Sequence, residues 1–190
     1  VAILFLLCAV QGFRPAILYP IAGALLVAAL AVRLRRGIGI RTALRLPPFR
    51  LDESLLAGAL TVAFVILLLV NLLPILAADA AAYHLTVPRL YAEHGGFREV
   101  PYNVYSNWPL AIELLYGFAM QLKDHRLAQL VHWGFGVLTV LAVYRFARQQ
   151  RGHYTGLLAA VQLLANPVVF VECCVAYVDL AFGFFFLKAF

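Results

Sequence analysis

Charged residues are scarce in this 190-residue chain: Asp, Glu, Lys and Arg together make up 13% of it, whereas hydrophobic residues make up 64%. A mean hydropathy of +0.90 lies well outside the range of water-soluble globular domains. A helix needs about 20 apolar residues to cross the hydrocarbon core of a bilayer, and several stretches reach that length. We therefore expect an integral membrane protein of the all-α class, folded as a polytopic bundle of transmembrane helices.

The motifs of several common enzyme classes are also missing. No GxSxG, Walker, GxGxxG or HExxH pattern occurs, so serine hydrolase, NTPase, Rossmann and zincin functions lack support. The net charge is +6, but the basic residues form no face beside aromatic residues, which argues against nucleic-acid binding. The three cysteines form no CxxC pairs, and we expect small buried side chains at Cys8, Cys173 and Cys174.

Four hydrophobic stretches are candidates for crossing the membrane: residues 16–32, 54–77, 127–146 and 154–190. The last is too long for one crossing, and we expect it to turn near residues 172–179 and to return. Basic residues concentrate after the first and third stretches, at Arg33, Arg35, Arg36, Arg41, Arg45, Arg50, Arg145, Arg148 and Arg151. By the positive-inside rule these segments are cytoplasmic, so Asp79 and Asp179 are expected on the outer side.

We predict a single helical membrane domain with no soluble linker. It divides into leading helices with a basic loop, residues 1–53, and a core, residues 54–190, whose outer loop covers residues 78–126. Two amphipathic juxtamembrane helices are predicted in that loop, at residues 80–94 and 109–122. Because the chain starts with Val and stops inside an apolar run, we expect it to be a fragment cut at both ends.

Asp79 directly follows the second apolar stretch, where an ionisable group is a candidate for function, although a carboxylate there can also be merely solvated. Tyr83 and His84 share a helix face with it, so the three could hold a proton, a hydroxyl or a divalent cation. If a metal binds, Asp79 and His84 are the candidate ligands, with His94 at no recognised spacing. Glu113 interrupts an apolar helix, and we expect it to face a partner or the site.

Other polar residues of the outer loop allow two interpretations each. Arg89, Arg98 and Arg126 could bind phosphate through their guanidinium groups or could pair with lipid headgroups. His125 and His132 border or enter the third stretch, and we expect them to have packing or interfacial roles.

The order of these features resembles the amino-terminal part of the GT-C fold glycosyltransferases, which include protein O-mannosyltransferases and aminoarabinose transferases. The resemblance covers about residues 55–190: a transmembrane helix ending at Asp79, then AAAYHLTVPRLYAEHGGF, NWPLAIELLYGFAMQL, DHRLAQLVHWGFGVLTVLAVYRFARQQRG and LLANPVVFVECCVAYVDLAFGF. The family has an acidic residue after the first core helix, which Asp79 matches, and another between the third and fourth, which Asp179 matches. This chain departs from it in having a single acidic residue at Asp79, and in having Asn107 and Trp108, with no acidic residue, before Pro109.

The resemblance implies a cell-envelope glycosyltransferase that works at the outer face of a bacterial cytoplasmic membrane. The implied donor is a polyprenyl-phosphate sugar among membrane lipids, and the acceptor is an unspecified hydroxyl. Asp79 would act as the general base, and Asp179 would orient the site or an optional divalent metal cation. Arg89 or Arg126, helped by His84, would offset charge on the leaving phosphate.

Four aromatic residues of the outer loop suit stacking on a sugar, although anchoring in the membrane interface explains them as well. These are Tyr83, Tyr102, Tyr105 and Trp108.

Two functions of other classes stay open. A transporter or flippase could use a helix broken at Asn166-Pro167, but its acidic groups would lie at the membrane midplane, whereas Asp79 and Asp179 are expected at the boundary. A non-catalytic membrane subunit would have a similar helical pattern without a complete site.

Overall fold

The computed structural model describes residues 1–35, 50–75 and 77–189, and within these ranges the chain is helical with no β-strand. Three helices are long and apolar enough to cross a membrane: α2 (Pro15–Arg35), α3 (Leu51–Val70) and α6 (His125–Arg151). The all-helical class is therefore confirmed, and helices long and apolar enough to cross a membrane occupy the predicted stretches at residues 16–32 and 127–146. The predicted basic loop lies mostly outside the described residues.

Helix α3 ends at Val70, whereas the hydropathy of the sequence predicted a helix to residue 77. The buried side chain of Asn71 explains the early end, because its amide donates to the backbone oxygens of Leu67 at 2.8 Å and Cys173 at 2.7 Å. Pro74 follows, and proline has no N–H with which to continue a helix. Helix α3 thus ends nine residues before Asp79, and Asp79 lies in the segment that follows the helix.

Helix α6 forms the centre of the bundle and packs against its neighbours on several sides. It turns back at Gly152, whose φ of +90° favours glycine, into α7 (His153–Leu164). Asn166 then caps the short α8 (Pro167–Glu172), and α9 (Asp179–Ala189) returns along α6. The chain therefore bends between Glu172 and Asp179, as predicted.

Short helices form a layer across one end of this bundle. The predicted helix at 80–94 divides at Leu85 into a π-helical turn (Ala80–His84) and α4 (Thr86–His94). A 3₁₀ turn (Val104–Asn107) follows, and the predicted helix at 109–122 begins later, as α5 (Glu113–Leu122). The layer also includes α1 (Ala2–Ala9), whose Cys8 packs together with Phe13 of the following turn in a cluster that contains Val87, Tyr91 and Leu114.

Gly156 allows α6 and α7 to approach closely. A Cβ at this position would lie 2.9 Å from the backbone oxygen of Tyr144. We expect Gly156→Ala to force the helices apart and to lower the free energy of unfolding by about 1–3 kcal/mol. The measurement is thermal unfolding in detergent.

Gly134→Ala is the matched control, because a Cβ there meets nothing within 4 Å and the gain in helix propensity is similar. Equal unfolding temperatures for the two variants would contradict the close helix contact.

Candidate functional site

A cavity of about 470 Å³ opens between the layer of short helices and the bend that joins α8 to α9. Four carboxyl groups line it: Asp79, Glu113, Glu172 and Asp179. Asp79 and Asp179 are the two acidic residues that the GT-C resemblance singled out, and the structure brings them to one cavity although a hundred positions separate them.

Hydrogen bonds donated by buried side-chain amides bring the two acidic segments together. Asn71, at the end of α3, donates to the carbonyl of Cys173, which follows Glu172 directly. Gln129 of α6 donates to the backbone oxygen of Asn71 at 2.9 Å and also bonds that of Leu73. The end of α3, the first turns of α6 and the end of α8 are thus held at the same end of the bundle.

His84 and Glu113 form a buried pair at the wall of the cavity. The Nδ1 atom of His84 lies 3.0 Å from Oε1 of Glu113, and both side chains are less than a tenth exposed. Where the Glu113 carboxylate is ionised it can only accept a hydrogen bond, and Nδ1 of His84 then carries the proton between them. This hydrogen bond fixes the orientation of the imidazole and leaves Nε2 outside the pair.

Aromatic rings form the adjoining wall, where the ring centroid of Tyr83 lies 4.0 Å from that of His84. Tyr83 stacks on Tyr105 with ring centroids 4.2 Å apart, and Trp108 stands edge-on to both rings. Tyr83 and Trp108 line the cavity, and the Trp108 side chain is 54% exposed. Burial and then the charge of Asp79 raise the pKa of Tyr83, so its hydroxyl stays protonated and can donate a hydrogen bond.

Four residues that the sequence suggested as substrate contacts do not line this cavity. One is Tyr105, whose ring stacks on that of Tyr83. Arg89 is exposed and its Nε lies 2.8 Å from Oε1 of Glu93. Arg126 is exposed near the start of α6, and Tyr102 is 75% exposed. Arg98 lines a neighbouring cavity of about 420 Å³, which shares Trp108 with the first. The described lining of the acidic cavity therefore contains carboxylates and His84 but no Lys or Arg.

Sequence reasoning missed Glu172 and Tyr177 as members of the site. Both line the cavity, and the Tyr177 ring lies 5.2 Å from that of His84. Burial and then the charge of Asp179 raise the pKa of Glu172 to about 7. The one signal in the sequence was an acidic residue seven positions before Asp179, and this spacing by itself indicates no contact.

The described residues do not fit the suggested metal site well. Asp79 and His84 line the same cavity, but no three His, Cys, Asp or Glu side chains of the described ranges converge as metal ligands would. Nδ1 of His84 is already engaged by Glu113. No chemical step is therefore assigned to a metal ion.

Because the pKa of Glu172 is raised from 4.5 to about 7, folding disfavours its ionised form. The stabilising contribution of the neutral group is complete below about pH 4.5 and is lost as the pH rises through about 7. Gln in Glu172→Gln does not ionise, so this variant does not lose stability in that range. The difference in unfolding temperature, variant minus wild type, should therefore increase between about pH 5 and pH 8. Exposed Glu99→Gln is the control, and a difference independent of pH would refute the shift.

No protein-family model matches this chain, and neither a curated protein nor a solved structure shows a significant similarity to it. The functional conclusion therefore depends on the residues, on the resemblance that they carry and on the geometry of the acidic cavity.

Proposed function

We propose that this protein is a membrane glycosyltransferase of the GT-C type, which moves a sugar from a polyprenyl-phosphate carrier to an acceptor hydroxyl. The observation that supports the proposal most is the meeting of Asp79 and Asp179 in one cavity that also has an aromatic wall. The resemblance requires two such carboxylates on one side of the membrane, and the cavity is large enough for a sugar.

Asp79 is the proposed general base. Asp79 is exposed and lines the cavity, and although it is the N-cap residue of the π-helical turn, its carboxylate accepts no capping hydrogen bond there. Among the described residues it forms no ion pair. It removes the proton of the acceptor hydroxyl as the oxygen bonds to the anomeric carbon and the bond from that carbon to the phosphate oxygen breaks. The electron pair leaves with the phosphate. A positioned base of this kind contributes about 10²- to 10⁴-fold to the rate.

His84 is the proposed contact to the leaving phosphate. His84 is the imidazole of the described lining, and in its doubly protonated form Nδ1–H donates to Glu113. Nε2–H then donates to a phosphate oxygen, which offsets the charge that develops there. Asp179 and neutral Glu172 hold sugar or acceptor hydroxyls on the other side. Phosphate contacts from Arg89 or Arg126 stay predictions, because neither residue lines the cavity.

The distribution of basic residues supports an external site. Arg50 precedes α3 and Arg148 and Arg151 end α6, so they lie at the end of the bundle away from the cavity. Arg33 and Arg35 end α2, whose start lies beside the layer of short helices because Tyr19 donates to the backbone oxygen of Gln121. By the positive-inside rule we infer that this basic end faces the cytoplasm and that the cavity faces the outside. The GT-C resemblance implies that the membrane is a bacterial cytoplasmic membrane.

Asp79→Asn tests the proposed base. Full-length protein in membrane vesicles is supplied with polyprenyl-phosphate sugars, and we expect sugar transfer to fall by about 10²- to 10⁴-fold while donor binding persists. The matched control is Glu99→Gln, which neutralises an exposed carboxylate outside the cavity. Undiminished sugar transfer by Asp79→Asn would show that Asp79 is not the general base. If wild type turns over no donor but moves it across the membrane, the protein is a transporter.

Trp108→Ala tests the aromatic wall. We expect the KM for the donor or the acceptor to rise roughly 2- to 10-fold, because a ring that contacts the sugar is lost. Tyr102→Ala is the matched control: both residues are exposed aromatics of the same segment, but Tyr102 does not line the cavity. Equal effects of the two variants would indicate interfacial anchoring, with no sugar contact.

A further inference from the structure

Tyr116 lies beneath the acidic cavity and is completely buried. It follows Glu113 by three positions on α5, so both side chains lie on neighbouring parts of one helix face. Its hydroxyl contacts two partners, the backbone oxygen of Tyr177 and Nδ1 of His132, which is 2.8 Å away. His132 belongs to α6 and is also fully buried.

The direction of these two hydrogen bonds follows from counting protons. A carbonyl oxygen can only accept, so the single hydroxyl proton of Tyr116 goes to Tyr177. The hydroxyl oxygen must then accept from His132, which carries a proton on Nδ1. His132 of α6 therefore donates to Tyr116 of α5, and Tyr116 donates to Tyr177 in the bend, so that each hydrogen bond orients the next.

The bend that receives this bond connects Glu172 to Asp179, and its own backbone hydrogen bonds are local: the N–H groups of Cys174, Val175 and Tyr177 donate to oxygens within residues 171–175. Its start is held to the bundle by Asn71, which donates to the carbonyl of Cys173. Its end is held at the carbonyl of Tyr177, two residues before Asp179. Asp179 thus lies between the Tyr116 bond and the bond that Thr139 of α6 donates to the carbonyl of Leu180, and of these two the Tyr116 bond is the one that holds the bend itself.

We propose that Tyr116 and His132 are positioning residues that hold the bend at residues 173–178 closed and thereby direct Asp179 into the acidic cavity. That Tyr116 holds the bend is inferred from the hydrogen bonds themselves, whereas the effect on sugar transfer rests on the function proposed above. Packing accounts for the Tyr116 ring, which contacts a cluster of alanines that includes Ala128, Ala176 and Ala181. Packing does not account for the Tyr116 hydroxyl. Removing that oxygen alone therefore separates the packing of the ring from the hydrogen bond that holds the bend.

Two native cysteines report on the bend directly. Cys173 is fully buried and Cys174 is partly buried, so a maleimide reaches this pair when the bend opens. Cys8 is buried in α1 and serves as a reference for general unfolding. The experiment compares maleimide labelling rates of the full-length protein in vesicles, and peptide mass spectrometry separates the two sites.

In Tyr116→Phe we expect the labelling rate of the cysteine pair to rise roughly 2- to 12-fold, while Cys8 is unchanged. Tyr144→Phe is the matched control, because the Tyr144 hydroxyl makes the same contact to an imidazole, 2.7 Å from Nδ1 of His153, far from the bend. His132→Asn keeps a donor near the place of Nδ1 and should label like wild type. His132→Leu removes the donor and should behave like Tyr116→Phe.

The kinetic readout uses the same variants with polyprenyl-phosphate sugar. Misplacing Asp179 should lower kcat roughly 2- to 12-fold with little change in the donor KM, and His132→Asn should restore kcat. If Tyr116→Phe labels faster than wild type but wild type transfers no sugar, the result supports the role of Tyr116 in holding the bend and refutes the glycosyltransferase function. Active wild type together with unchanged labelling in Tyr116→Phe would overturn the positioning role and leave the proposed function intact.

Discussion

Hydrogen bonds from buried amides and hydroxyls to backbone carbonyls hold this structure together at the end that carries the cavity. Inside an apolar bundle a carbonyl without a donor costs several kcal/mol, so every interruption of a helix needs a side chain to satisfy it. Asn71 does so for Cys173, Gln129 for Asn71, and Tyr116 for Tyr177. The same bonds that make the breaks tolerable also determine where the segments beyond them lie.

The acidic cavity is a consequence of those breaks. The early end of α3 frees the chain to carry Asp79 into the cavity, and the bend after α8 does the same for Asp179. Repulsion among four carboxyl groups is relieved in two ways. Glu113 is paired with His84, and the raised pKa of Glu172 lets it stay neutral up to about pH 7. The remaining two, Asp79 and Asp179, are exposed at the cavity.

Local patterns predicted the long apolar helices well, because length and hydropathy are properties of a continuous stretch. They were less successful where a side chain from elsewhere decides the local structure. The end of α3 at Val70 depends on Asn71 reaching Cys173, which is 102 positions away. The predicted helix at 80–94 divides at Leu85 because the π-helical turn brings His84 to Glu113. Arg89 matched a phosphate contact by charge, but its partner is Glu93 on the same helix.

The sequence by itself determined the all-helical class, the crossing helices, the crowding of basic residues away from Asp79 and the candidacy of two acidic residues. All of these depend on composition over a single stretch, or on an order of features along the chain. Only the tertiary structure decided that Glu172 and Tyr177 join the site, that His84 pairs with Glu113, and that Tyr116 holds the bend. These contacts join residues up to a hundred positions apart, and helix periodicity specifies which face is apolar but not which polar side chains meet across it.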